Sequence, residues 1–260
     1  AEYSTYQPGD ELRRIDWRLY GRSDRLCVRK FEDENQLRAC LALDVSASLR
    51  YASRPGLMTK LDLARTVLAA IALLARRQHD AVGLALLGET SSPADAGLID
   101  YLQPSASIAH HHTIFSRLES PPEARRLALG QALPRLAALL PRGGLVVVAS
   151  DFYSDLGELK EALRLFHSQR LELMGVQVLD PMELEFGTDT SGRFVDLEHG
   201  TYLPINTAAV REGYLKRFRA FQSDLQETFR EHGASLCSLR TDGNPLPALA
   251  TYLARRARLA

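Results

Sequence analysis

From residue 37 onward, short apolar runs alternate with segments whose apolar residues recur every three or four positions. The first kind reads as buried strand and the second as amphipathic helix. Their alternation predicts an α/β fold with a central, mostly parallel sheet flanked by helices. ACLALD (39–44) is the first strand of the series. Thr59, with Asp62 three positions on, opens a helix in which Leu61, Ala64, Val67, Leu68, Ile71 and Ala75 line one face. AVGLALLGE (81–89) reads as the second strand and GLIDYLQP (97–104) as its antiparallel neighbour. Pro121-Pro122 marks the start of a helix over 123–140, and GLVVVASD (144–151) is the most β-branched strand of the chain. A helix over 155–168 and the strand LELMGVQVLD (171–180) follow.

The alternation is then interrupted. GRFVDLEHGTYLPI (192–205) has two β-rich arms around His199-Gly200, predicting a β-hairpin inserted at about 185–206. A long helix over 207–231, the strand ASLCSLR (234–240) and a closing helix over 246–258 complete the series. Residues 1–36 break the pattern, with a turn at Pro8-Gly9-Asp10 and an edge strand within VRKFEDE. The expected organisation is an N-terminal extension with β elements (1–36) packed on an α/β domain (37–260).

Charge and cysteine usage narrow the function classes. Lys+Arg and Asp+Glu number 32 each, so no global field points to nucleic acid or an anionic membrane. Cys27, Cys40 and Cys237 are odd in number and form no CxxC pair, which suits free thiols in a reducing compartment. Apolar stretches such as residues 133–140 are too short to span a bilayer, so membrane insertion of this segment is not expected. The expected location is cytoplasmic, with membrane association only if an upstream segment supplies it.

In open parallel sheets ligands bind beyond the carboxyl ends of the strands. Two strands end there in an aspartate, Asp44 after CLAL and Asp151 after VVVAS. Asp44 is followed at alternate positions by Ser46 and Ser48, a spacing that offers one carboxylate and two hydroxyls to a single point. With Asp151, this hard oxygen set suits Mg²⁺ or Mn²⁺. The plainer alternative is that Asp44 and the serines only cap the turn that follows.

The DVSAS loop (44–48), followed by helix–strand alternation and an aspartate ending a later strand, resembles the von Willebrand factor A domain, whose Rossmann-like sheet carries a metal-ion-dependent adhesion site. YQPGDELRRIDWRLYGRSDRLCVRKFEDE (6–34) resembles the signature of the bacterial domain of unknown function 58 family. In that family a PGD-x-x-R-x-IDW segment precedes a von Willebrand-like core. LPRGGLVVVASDFYSD (140–155), VLDPMELE (178–185) and FVDLEHG (194–200) match further family stretches, so the likeness covers essentially the whole chain. The resemblance implies Asp44, Ser46, Ser48 and Asp151 as metal-site residues. It also implies a MoxR-type AAA+ ATPase partner in chaperone-like assembly or maturation of protein complexes. The family site also uses a threonine from the loop before the helix that leads into the Asp151 strand. Here that loop reads PPEARRLALGQAL and has none. Thr113 substitutes only if its loop folds back toward Asp44.

Other features carry less. Three adjacent histidines in HHHT (110–113) cannot all reach one ion from a loop and read as a polar surface. The basic run Arg13, Arg14, Arg18, Arg22, Arg25, Arg29 and Lys30 lacks interleaved aromatics, and Trp17 reads as an anchor for the extension. Asp180, Glu183, Asp196 and Glu198 read as solvated turn carboxylates, with the binding of a second cation or a basic partner as the alternative. With no GxSxG, P-loop or HExxH, the expected function is a non-enzymatic, metal-modulated interaction module. Two alternatives stay open: a Mg²⁺-dependent phosphohydrolase, which would have to act with Ser46 in place of its acid, and a scaffold with a degenerate metal site.

Overall fold

The computed structural model describes residues 2–5, 19–21, 27–30, 37–90, 97–187, 192–195, 202–205, 207–246 and 250. The chain divides into two compact units, Ala1–Gln36 and Leu37–Ala260. In the first, β1 (Glu2–Thr5) pairs antiparallel with β2 (Cys27–Lys30). The Pro8-Gly9-Asp10 turn, Trp17 and most of the basic run lie outside the described residues.

The second unit is the expected α/β layer structure. Its strands are β3 (Arg38–Asp44), β4 (Ala81–Leu87), β5 (Leu98–Ser105), β6 (Gly144–Ser150), β7 (Leu171–Leu179) and β10 (Ser235–Arg240). They form one sheet in the order β10-β7-β6-β3-β4-β5, parallel throughout except for β5, which runs antiparallel to β4. The inserted hairpin is present as β8 (Gly192–Val195) paired with β9 (Tyr202–Ile205). Its His199-Gly200 turn lies outside the described residues, as does most of the expected closing helix.

The helices are α1 (Lys60–Arg77), α2 (Ile108–Glu119), α3 (Leu129–Leu139), α4 (Leu156–Ser168), the short α5 (Pro181–Glu185) and α6 (Thr207–Glu231). Side chains alternate across the sheet, so β3 feeds two cores. Leu41 and Leu43 pack on one face with Leu61, Leu68, Ile71 of α1 and Ile114 of α2. Cys40 and Ala42 pack on the other with Leu133, Leu163 and Phe229 of α3, α4 and α6.

This layering decides where the chain connections diverge. The chain enters at central β3, winds outward through β4 and β5, then returns to β6 on the other side of β3. Helix α1, which follows β3, lies on one face, and α4, which follows β6, lies on the other. The carboxyl ends of β3 and β6 are therefore a topological switch point, where the connections diverge to opposite faces of the sheet.

Two expected elements are corrected. Residues 110–113 are not a loop but belong to α2, whose N-cap Ser107 accepts a hydrogen bond from the His110 N–H. Helical geometry splits the histidines. His110 bonds the Val82 carbonyl (2.8 Å), His111 is buried and His112 is exposed. The helix expected over 123–140 starts only at Leu129. The residues before it give their backbone groups to neighbouring loops: Ala124 N–H donates to Val45 O (3.3 Å), Glu89 N–H to Arg126 O (2.7 Å) and Arg125 N–H to Glu89 O (3.0 Å). Backbone groups committed in this way cannot also serve a helix.

Candidate functional site

Asp44 ends β3 and is buried together with Ser46 of the loop that follows. Its Oδ1 accepts the Ser46 N–H (2.9 Å), and Ser46 Oγ lies 3.0 Å from Ser48 Oγ. The three residues of the DVSAS loop thus gather by the alternate spacing read from the sequence. From across the switch point, the Ser150 hydroxyl donates to Asp44 Oδ2 (2.7 Å) and accepts the Phe152 N–H (3.1 Å). Burial pushes the Asp44 carboxyl up to about 7, and the charge of Asp151 pushes the same way, against the bonds from Ser46 and Ser150. A buried acid beside a second acid avoids a second negative charge by retaining its proton.

Asp151 follows β6 in a tight turn. Its Oδ1 accepts the Tyr153 N–H (3.2 Å), its carbonyl accepts from buried Gln177 (3.1 Å), and Gln177 in turn accepts from Ser238 (2.9 Å). Phe152 holds a left-handed backbone (φ 59°), a conformation that costs a non-glycine residue energy and here swings its ring into the core.

The other Asp151 oxygen, Oδ2, accepts from Lys60 Nζ at 2.9 Å. Lys60 also donates to Glu183 Oε1 at 2.6 Å, and it is only 2% exposed. The capping box of α1 fixes where this lysine emerges: Asp62 N–H donates to Thr59 Oγ1 (3.0 Å) and Thr59 N–H to Asp62 Oδ2 (3.4 Å). Burial alone would drive the ammonium toward its neutral form, but Asp151 and Glu183 outweigh it and hold the lysine pKa above its ordinary value.

The carboxylates expected to be solvated turn groups are corrected here. Asp180 is fully buried, accepting Met182 N–H (2.8 Å) and Ser53 N–H (3.0 Å), and Glu183 is the second partner of Lys60. Asp196 and Glu198 lie outside the described residues. Thr113 faces its own helix, donating to Ala109 O (3.2 Å), so it does not turn back toward Asp44. Ala124 and Arg125 stand beside the DVSAS loop instead, the latter accepting the Ala47 N–H (3.4 Å).

Sequence reasoning missed Lys60, Ser150 and Gln177. A signal existed for two of them: Ser150 and Gln177 are polar interruptions of otherwise apolar buried strands. Lys60 gave none, because a lysine in a first helical turn is ordinarily solvated.

In kind, the donors fit a hard cation: two carboxylates and two hydroxyls at one strand edge. In detail they depart from the adhesion-type set twice. The threonine hydroxyl has no counterpart in the 121–128 segment, and Asp151 already holds a cation.

Exposed Tyr153 borders the cluster and starts an aromatic file along α6. It stacks on Phe221 (5.7 Å between centroids) and tilts on Phe218 (6.3 Å), which meets Tyr214 (5.8 Å).

The family model described as "Protein of unknown function DUF58" matches residues 2–224. Uncharacterized proteins of Mycobacterium bovis and Mycobacterium tuberculosis are each 28% identical over 262 residues, spanning 99% of this chain and 79% of theirs. Among solved structures, an aerotolerance-related membrane protein from Bacteroides fragilis aligns with TM-score 0.50 at 16% identity, over 82% of this chain and 96% of that one. The pilus adhesin SpaC from Lactobacillus rhamnosus GG aligns with TM-score 0.51 at 10% identity, over 85% of this chain and 30% of that one. At such identities the likeness is one of fold alone.

Proposed function

The chain belongs to the DUF58 family, and we propose that it is a non-enzymatic protein-interaction module of von Willebrand factor A type. Its working face is the carboxyl edge of β3 and β6. One observation carries the reading: Asp44, Ser46, Ser48 and Asp151 gather at the topological switch point, beside an exposed tyrosine. Aromatic side chains at the margin of a polar cluster are what protein interfaces favour. A non-catalytic role is supported by the hydroxyls themselves. Ser46 and Ser48 bond each other, no histidine stands beside them among the described contacts, and an unactivated serine is a weak nucleophile.

Where a divalent ion enters, Asp44, Ser46, Ser48 and Asp151 are the residues that would hold it as Mg²⁺ or Mn²⁺, and the ion would offer a partner carboxylate a positive charge. The partner, on the family resemblance, is a MoxR-type AAA+ ATPase, engaged in chaperone-like assembly of other complexes in the cytoplasm. No helix of the described residues is long and apolar enough to cross a membrane.

A photo-crosslinking amino acid placed at Tyr153 tests the face. Leu73, near the far end of α1, is the control, because both residues are 42% exposed. Capture of a purified MoxR-type ATPase from position 153 and not from 73 is the expected result. Equal capture from both, or from neither, overturns it. Hydrolysis of a generic phosphate ester that disappears in Asp44→Ala would favour the phosphohydrolase instead.

A further inference from the structure

The most unusual group at this edge is a buried ammonium. A lysine in the first turn of a helix sits at the positive end of the helix dipole, where a cation is disfavoured. An unpaired buried charge would cost still more. Lys60 tolerates both because two carboxylates from different elements close on it, Asp151 at 2.9 Å from the end of β6 and Glu183 at 2.6 Å from α5. Its backbone is held as well, since Lys60 N–H donates to Tyr51 O (3.2 Å). The Tyr153 ring lies 5.7 Å from the ammonium.

We propose that Lys60 is the resident cation of this site. It stands at Asp151 in place of a divalent ion, so the cluster is complete without metal, and Mg²⁺ or Mn²⁺ enters only by displacing the ammonium from Asp151 onto Glu183 alone. The inference rests on the reading of this edge as the functional face. The two departures from the adhesion-type set point the same way. Ala124 and Arg125 take the place of a neutral oxygen donor, and Lys60 adds a positive charge. Losing a ligand and gaining a like charge both weaken the hold on a divalent cation. A tethered ammonium also needs no supply from solution, so the face keeps one shape whatever the metal concentration.

Thermal unfolding of the full chain tests this, with wild type and Lys60→Met compared in EDTA and in millimolar Mg²⁺, and Mn²⁺ binding followed by calorimetry. A ligand at about 100 times its Kd raises Tm by roughly 5–11 °C at this size. Wild type is expected to move by less than about 1 °C, and Lys60→Met by several degrees with measurable Mn²⁺ binding. If Lys60→Met does not fold, Lys60→Met with Glu183→Gln removes one charge of each sign and gives the same readout. Equal shifts in wild type and variant would overturn the proposal, as would a folded variant that binds no Mn²⁺. The titration uses the chain alone, so it can fail while capture at Tyr153 succeeds, and the reverse.

Discussion

The hydroxyl of Ser150 lies 2.7 Å from Asp44 Oδ2, joining the carboxyl ends of the two central strands by a buried side-chain bond. Backbone pairing between β3 and β6 runs to Leu43 and Ala149, so this bond continues the ladder past its last rung. It also places the two acids of the cluster on a shared support, because Ser150 accepts the N–H of Phe152, the residue after Asp151.

Ser150→Ala should therefore cost more than an ordinary serine truncation. It removes a donor to a buried carboxylate and an acceptor for a buried N–H, and each unsatisfied group costs about 1–3 kcal/mol. Urea unfolding is expected to place the loss at the upper end of that range or above it. Ser168→Ala, an exposed serine near the end of α4, is the control and should stay within about 0.5 kcal/mol. Comparable losses in the two variants would show that the bond contributes nothing special.

Phe152 offers a sharper contrast. Its φ of 59° is uncomfortable for any residue with a Cβ, by about 1–2 kcal/mol, and its ring is held edge-on to Phe229 at 5.4 Å. Phe152→Ala and Phe152→Gly both lose the ring, a loss of about 3–5 kcal/mol for alanine. Glycine alone relieves the backbone. Phe152→Gly should thus be the more stable variant by about 1 kcal/mol, reversing glycine's usual disadvantage. Chemical denaturation of the pair decides it, and an alanine variant of equal or greater stability would refute the strain.

The parts of this site that could be read in the sequence are those set by local spacing. DVSAS gathers its own oxygens because alternate residues leaving a strand face one way, and the Thr59–Asp62 box announced α1 by its three-residue interval. Lys60 was not legible as a site residue, and nothing local assigned Glu183 or Gln177 its partner, because these pairings exist only once β6, β7 and α1 meet. The start of α3 was missed for a related reason. Its N-cap is Ala128, with no side-chain cap to announce it, while the nearby Pro121-Pro122 marks a segment bonded to Val45 and Glu89. Ser107 did cap α2, but a polar histidine run masked the helical period behind it.

Two glycines should respond in opposite directions to the same change. A Cβ on Gly175 of β7 would lie 2.7 Å from both Leu236 and Phe229, so Gly175→Ala should destabilise by about 1–3 kcal/mol through overpacking. Gly213 sits exposed within α6, where a Cβ would meet only the Arg217 side chain at an ordinary 3.7 Å, and Gly213→Ala should stabilise by about 0.5–1 kcal/mol through backbone entropy. Thermal melts of the two variants read the signs directly. A stabilised Gly175→Ala would mean that Phe229 can move aside.

His111 should make the fold acid-sensitive in a defined window. It is 0% exposed on the inner face of α2, and neither ring nitrogen has a hydrogen-bond partner among the described residues. Burial lowers its pKa, and the neighbouring His110, Arg76 and His112 add to the shift. A base whose folded pKa is depressed is protonated more readily in the unfolded chain, so stability falls as pH drops below the ordinary histidine value of about 6.5 and continues to fall until the folded pKa is reached. Above about pH 7.5 this residue contributes no slope. His111→Leu fills similar space without a proton site. It should flatten the decline below about pH 6.5, and at neutral pH it should stabilise by about 1–3 kcal/mol through removal of the unsatisfied nitrogens. Urea midpoints across that pH range measure both effects. An unchanged slope in His111→Leu would assign the acid sensitivity to other groups.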